Sequence, residues 1–530
     1  MRIARFIFGS PIPKSLADEQ TLPKMRALAI FSSDALSSVA YATEEILVIL
    51  VLAGSAGLMY SIHIAFFISI LIVIVGFSYK QAIAAYPEGG GAYVVSRENF
   101  GPKVGLIAAA ALMIDYILTV SVSVSAGIAA VTSAFPSLYE HSVFLAITSI
   151  IILTWVNLRG IRESAKAFMF PTYIFVIMIF ALIGMGLYKY FHQTLEVMDY
   201  AHQTDLIEPM TKVLTNALIL KAFSSGCSAM TGIEAISNGV SAFKRPRAQN
   251  ASQTLTILMI LLISMFLGIS FLAYYIKLQP LTNQTVLSQL GHAIFGGGMW
   301  YYVLQASTCL ILLLAANTSF AGFPLLASMI SKDGYLPRQL RNIGDRLGFS
   351  NGIIMLGIFA CFLIYIFDAQ TNLLIPLYSI GVFIAFTLCQ AGLVKVWYVR
   401  RHKVNSWWFK ALINGFGCLC TFVALMVVMI SKFETGAWMV IIAIPLLFIF
   451  CSKIYSHYKR VDSELAISTD EGLMEASLKS TTKPKVIVPI SKLHKGTIAA
   501  LDFARTLSDE VIPVAVNIDS EKTDKLKKAW

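Results

Sequence analysis

The chain has 530 residues, 57% of them hydrophobic and 13% charged, with a formal net charge of +11 and a mean hydropathy of +0.72. Those values exclude an ordinary soluble protein and indicate a polytopic membrane protein. The positive charge does not point to nucleic acid, because the basic residues sit in short loops between apolar segments, where they set topology.

The opening MRIARFIFGSPIPKS is not expected to be a signal peptide: its apolar run is short, prolines interrupt it, and no small-residue cleavage site follows. About twelve apolar stretches of spanning length come next. They lie near 27–52, 62–84, 104–134, 142–158, 167–189, 214–240, 254–276, 299–330, 352–367, 372–397, 408–430 and 436–455. The loops between them alternate in charge. Those with Lys80, Arg97 and Lys103, with Arg159, Arg162 and Lys166, and with Lys244, Arg245 and Arg247 are basic. So are those with Lys332, Arg338, Arg341 and Arg346, and with Arg400, Arg401 and Lys403. The fifth loop, KYFHQTLEVMDYAHQTDLIEPMTK, is the acidic one. The positive-inside rule then places both termini in the cytoplasm.

The first stretch breaks the pattern of a lipid-facing helix. Ser32, Ser33, Asp34, Ser37, Ser38, Tyr41 and Thr43 occupy its middle. A carboxylate near the bilayer centre costs roughly 2.5–3.5 kcal/mol on insertion scales, so it faces a protein interior or a water-filled cavity. The stretch therefore reads as two half-helices around an opened turn whose carbonyls are free to coordinate a cation. Glu44 and Glu45 follow near the outer interface, where a solvated role is expected. The loop YPEGGGAY reads as tight backbone passage, since no P-loop Lys-Ser/Thr follows it.

In the third stretch Asp115, Thr119 and Ser123 are spaced i, i+4, i+8 and share one helix face, with Tyr116 beside it. A carboxylate above two hydroxyls suits a large, weakly hydrated monovalent cation, whose lost water must be replaced by several oxygens. The structural alternative is a helix–helix hydrogen bond at Asp115 and hydroxyls that bond back to their own helix. The sixth stretch, ALILKAFSSGCSAMTGIEAISNGVSAFKRP, again has a small, hydroxyl-rich centre and one acid. Thr231 and Glu234 flank its expected break. Glu234 is read either as the carrier of a coupling proton or as the acceptor for unwound backbone amides. Two interrupted helices entered from opposite sides predict a five-plus-five inverted repeat with a site at the midplane, and stretches eleven and twelve lie outside it.

After residue 456 the composition turns polar. Residues 457–482 read as a cytoplasmic linker, Lys485–Ile490 as a strand, Gly496–Leu507 as a helix and Val511–Ile518 as a second strand. Two strands and a helix are too few to bury a core. Either the unit completes itself against another chain or the sequence stops partway through it. The seven cysteines read as small apolar fillers with no disulfide framework, and no catalytic, metal-ligand or nucleotide pattern appears in the membrane part. An enzyme is the weakest reading, and no cofactor is expected.

FSSDALSSVAYATEE, AAYPEGGGAYVVSRENFG, IDYILTVSVSVSAG, TGIEAISNGVSAFKRPR and PLYSIGVF resemble the amino acid–polyamine–organocation superfamily, and within it the KimA-type potassium importers of the KUP family, which are potassium–proton symporters. The resemblance covers the membrane part, residues 1–456, and implies an all-α, LeuT-like fold in the cell membrane. Residues 483–530 resemble the first portion of a cytoplasmic, universal-stress-protein-like domain. It also implies potassium and a proton as substrates, Tyr378 as a phenolic ligand, a homodimer joined through the cytoplasmic domains, and control by cyclic di-AMP. Asp34 and Tyr41 are read either as cation ligands or as a protonatable gating pair, with capping of half-helix amides as the bland alternative. The competing expectation is a proton-coupled amino-acid permease of the same superfamily. Such permeases resemble this chain less in the first stretch, where Asp34 stands among serines and would repel a substrate carboxylate. Potassium is accordingly expected at Asp115, and the proton on Asp34 or Glu234.

Overall fold

The computed structural model describes residues 22–89, 91–159, 165–198, 214–342, 349–403, 405–465, 485–490, 492–515 and 520–530. The opening 21 residues, Arg162, Arg346, much of the acidic fifth loop, most of the 457–482 stretch and the end of the second expected strand lie outside the described residues. The chain divides into two compact units after Ser456.

The first unit is helical. The first apolar stretch is shared among α1 (Lys24–Phe31), α2 (Ser33–Ser37) and α3 (Val39–Leu50), with interruptions at Ser32 and Ser38. Both serines keep right-handed helical angles, so the stretch is kinked, not opened. The hydroxyls of Ser33, Ser37 and Ser38 donate back to the carbonyls of Ile30, Asp34 and Ala35. Such back-bonding competes with the main-chain ladder and bends a helix without unwinding it. The opened turn expected here is therefore corrected to a double kink.

Next come α4 (Ser61–Ala85) and α5 (Gly91–Phe100). The passage between them is as tight as its glycines suggest. Gly89 and Gly91 have φ of +86° and +49°, and a Cβ on Gly91 would fall 1.6 Å from Asn238 Oδ1. α5 was not anticipated. It is fixed by an Arg97–Asp333 ion pair at 2.8 Å, and the Tyr93 hydroxyl donates to the same carboxylate.

The chain continues through α6 (Pro102–Ala134), α7 (Ser142–Leu158), α8 (Ala165–Phe191), α9 (Asn216–Gly226), α10 (Ala235–Asn238) and α11 (Arg247–Tyr275). Then follow α12 (Val286–Phe295), α13 (Met299–Lys332), α14 (Ser350–Ile366), α15 (Thr371–Val399), α16 (Trp407–Ser431) and α17 (Trp438–Leu465). Among the described residues, nine helices are long and apolar enough to cross a membrane: α4, α6, α7, α8, α11, α13, α15, α16 and α17. The protein is a mostly helical polytopic membrane protein.

α6 is the axis of the core and packs extensively on α13 and α15. Small residues make this possible, because they let backbones approach closely. A Cβ on Gly381 of α15 would lie 2.9 Å from the Ala111 carbonyl oxygen and 3.2 Å from Asp115 Cβ.

In the second unit, β1 (Val486–Pro489) and β2 (Val511–Val514) pair in parallel with Val486 opposite Val511. α18 (Lys495–Leu507) joins them and is capped by His494, whose ring nitrogen accepts from the Thr497 amide. α19 (Ser520–Ala529) closes the described chain. Ile487, Ile512, Phe503 and Leu507 remain exposed.

Candidate functional site

The sixth stretch holds the one true opening seen in the two interrupted helices. α9 ends at Gly226, a 3-10 turn covers Cys227–Met230, Thr231 is extended, and Gly232 has φ +78°. The helix resumes at Ala235. Glycine is required at 232 for two reasons: its backbone angle, and the close approach of α2. A Cβ there would stand 2.6 Å from the Ala35 amide nitrogen and 2.8 Å from Asp34 Oδ2. Ser38 Oγ also lies 3.1 Å from the Ala229 carbonyl oxygen, so the kinked first helix and the opened sixth are bound together.

Around this contact the hydroxyls of Tyr41, Thr231 and Tyr378 lie close to one another. Thr231 donates its own proton to the Ser228 carbonyl at 2.8 Å.

On α6, Asp115, Thr119 and Ser123 are all buried. Thr119 donates to the Asp115 carbonyl at 2.9 Å, as the structural alternative supposed. That bond commits the proton and leaves the hydroxyl lone pairs for a cation. Tyr116 points elsewhere: its hydroxyl accepts from Asn238 Nδ2 at 3.1 Å and its ring abuts Gly322 of α13.

Asp34, Asp115 and Glu234 lie within electrostatic range of one another. The Glu234 carboxyl lies beside the backbone amides of Gly232 and Glu234. Yet Asp34 Oδ1, Asp115 Oδ1 and Glu234 Oε2 are each buried with no hydrogen-bond partner. Three carboxyls at this depth cannot all carry charge uncompensated, since like charges repel and burial disfavours the charged form. A mobile cation, protons, or both must neutralise them.

A cleft with about 720 Å³ of empty space reaches this centre. Asp34, Tyr116, Glu234, Asn238 and Phe31 line it, and along α13 its lining runs from Thr318 to Met329, toward the end that carries Lys332. Among the described residues no Lys or Arg lines it. The structure thus brings Asp34, Tyr41, Asp115, Thr231, Glu234 and Tyr378 around one centre. Thr119 and Ser123 extend along α6 from it, and Tyr116 sits at the cleft.

Two groups depart from the reading of the sequence. Glu45 is not solvated, since its Oε2 lies 3.8 Å from Lys432 Nζ with both side chains about 5% exposed; Glu44, partly buried, accepts the Val286 amide at 3.0 Å through Oε2. Asn238, which joins the cleft to Tyr116 and Gly91, was missed. Its only signal was a polar amide beside a glycine at the end of an apolar run.

Residues 24–451 match the family model described as amino acid permease, and residues 481–530 match that of the KimA potassium transporter C-terminal domain. The chain is 46% identical over 528 residues to the potassium transporter KimA of Bacillus subtilis (strain 168), covering all of this chain and 85% of that relative.

Proposed function

The chain belongs to the amino acid permease family of membrane transporters and is homologous along its whole length to a potassium transporter; on that premise we propose that it imports potassium together with a proton. The observation that carries the reading is the set of three buried carboxyls, each with one oxygen left without a partner, beside a cluster of hydroxyls. An amino-acid substrate would need donors for its carboxylate. At the place where the opened sixth helix meets the first, this chain presents Asp34 instead.

In this reading Asp115, Thr119 and Ser123, with Thr231 and Tyr378, replace the potassium hydration shell. Asp34 or Glu234 takes the proton, and Tyr41 closes the centre on the side away from the cleft. A potassium ion held at Asp115 disfavours protonation there, so the proton belongs on an acid one step removed. The voltage supplies about 2.3 kcal/mol per charge per 100 mV. A symported proton adds a second charge and the pH gradient.

The finer architecture follows the same reading: about twelve spans, with the first ten forming a LeuT-like five-plus-five inverted repeat, both termini cytoplasmic, and the cleft opening inward. Residues 457–482 serve as a linker and 483–530 as part of a universal-stress-protein-like domain. The apolar side chains left exposed there, Ile487, Ile512 and Phe503 among them, support a homodimer joined through these domains, with cyclic di-AMP as the regulator.

Ligand protection tests the substrate. A ligand that binds only the folded state stabilises it by RT ln(1 + [L]/Kd), which keeps rising with the logarithm of its concentration above Kd. In mild detergent, potassium should raise the unfolding temperature with that concentration dependence, while choline and a panel of amino acids should not. Protection by an amino acid and none by potassium would restore the permease reading.

A further inference from the structure

We propose that Glu44 and Glu45 are positioning residues that together hold the external entrance shut, Glu44 through α12 and Glu45 through Lys432. The proposal rests on the transport reading above and on its orientation of the chain. Tyr41, Glu44 and Glu45 are spaced i, i+3, i+4 on α3, so the two acids sit one turn beyond the tyrosine that closes the centre. Adjacent residues on a helix point about 100° apart, and these two reach different elements.

Glu44 takes the first amide of α12, at Val286. The other end of α12 is held too: Lys189 of α8 donates to the Ile294 carbonyl at 2.8 Å and to that of Ala293 at 3.4 Å. An acid at the N-terminus and an ammonium at the C-terminus complement the helix dipole. The Thr285 amide donates to Ser133 Oγ at 3.1 Å, which adds α6 to the attachment. α12 lies between the ends of α11 and α13 remote from Arg247 and Lys332. It is therefore on the face opposite the cleft.

Glu45 makes the second attachment. Lys432 directly follows α16 and precedes the turn Phe433–Ala437 that leads into α17. A charged pair this far from water has two acceptable states: both members paired, or both hydrated. With Lys432 removed, the Glu45 carboxylate is left buried without that ammonium. Such a pair favours an all-or-none change from shut to open. Thr43 Oγ1, 3.0 Å from Ser270 Oγ on α11, completes the contact of this turn of α3 with its surroundings.

Cys227 supplies a native reporter. It is buried beneath this region, next to Gly226, whose Cα faces the Ile46 side chain of α3. In a variant that keeps Cys227 as its sole cysteine, the rate of labelling by an impermeant maleimide added from outside measures opening. Glu45→Gln and Lys432→Met should each raise that rate roughly tenfold by populating the open state, and should lower both the half-saturating external potassium and the maximal uptake rate. The exchanged pair Glu45→Lys with Lys432→Glu should return all three toward the starting values. Glu44→Gln, which leaves the ion pair intact, should shift them in the same direction by less. Unchanged labelling in Glu45→Gln and Lys432→Met overturns the proposal, as does altered transport with no change in labelling. If those variants do not fold, unchanged labelling in Glu44→Gln overturns it. Labelling requires no flux: a chain that carries no potassium but still shows these shifts keeps the latch and loses the substrate reading.

Discussion

Gly232 stands where a side chain would strike Asp34: a Cβ at that position would be 2.8 Å from Asp34 Oδ2. The opening of the sixth stretch and the acid of the first are thus parts of one structure. Gly232→Ala would add a left-handed strain of about 1–2 kcal/mol and force Asp34 to move. Uptake is expected to fall by at least about tenfold while the protein still reaches the membrane, since 1.4 kcal/mol is already tenfold. Near-normal uptake would mean that this contact does not shape the site.

Asp115→Asn and Thr119→Ala should raise the half-saturating potassium concentration with little change in yield, one by removing charge and the other a ligand oxygen. Thr119→Ser should be close to wild type, because the hydroxyl that bonds back to the Asp115 carbonyl is retained. Concentration-dependent uptake checks all three, and unchanged kinetics in Asp115→Asn and Thr119→Ala would make this face of α6 structural.

Asp34→Asn or Glu234→Gln should abolish proton-driven uptake while leaving potassium–potassium exchange measurable. A vesicle assay that reads lumenal pH and potassium together separates the two. Potassium-dependent acidification persisting in both variants would remove both acids from the proton pathway.

Tyr378→Phe removes one of the hydroxyls close to Thr231. Weaker potassium protection against thermal unfolding, by several-fold in apparent affinity, is expected without loss of the fold, because losing one hydrogen-bonding group is worth about 1 kcal/mol. An unchanged affinity would leave Tyr378 as packing.

The exposed Ile487, Ile512 and Phe503 lead to an expectation about assembly. The full chain in mild detergent should run as a dimer, and deletion after Ser456 should convert it to a monomer, as measured by light scattering. A full-length monomer would contradict the dimer.

Most spanning helices were legible because uninterrupted apolar runs of that length have few other fates. α5 and α12 were not, since ten-residue amphipathic helices in connecting loops carry no such signal. The serine-rich centres of the first and sixth stretches looked equivalent. Only the sixth has a glycine at positive φ, and serines that bond back to their own helix keep it wound. Clustering of Asp34, Asp115 and Glu234 was foreseeable from the scarcity of membrane carboxylates. The attachments of Glu44 and Glu45 were not, because their partners Val286 and Lys432 lie far along the chain.

In the proposed function the unpartnered carboxyls serve a potassium ion and a proton. Flux in proteoliposomes tests it most directly, with potassium, sodium and a panel of amino acids compared under an imposed pH gradient. Potassium should accumulate, driven by external acid and by a negative interior, and should carry protons inward with it. Uptake of an amino acid with no potassium flux would contradict the account.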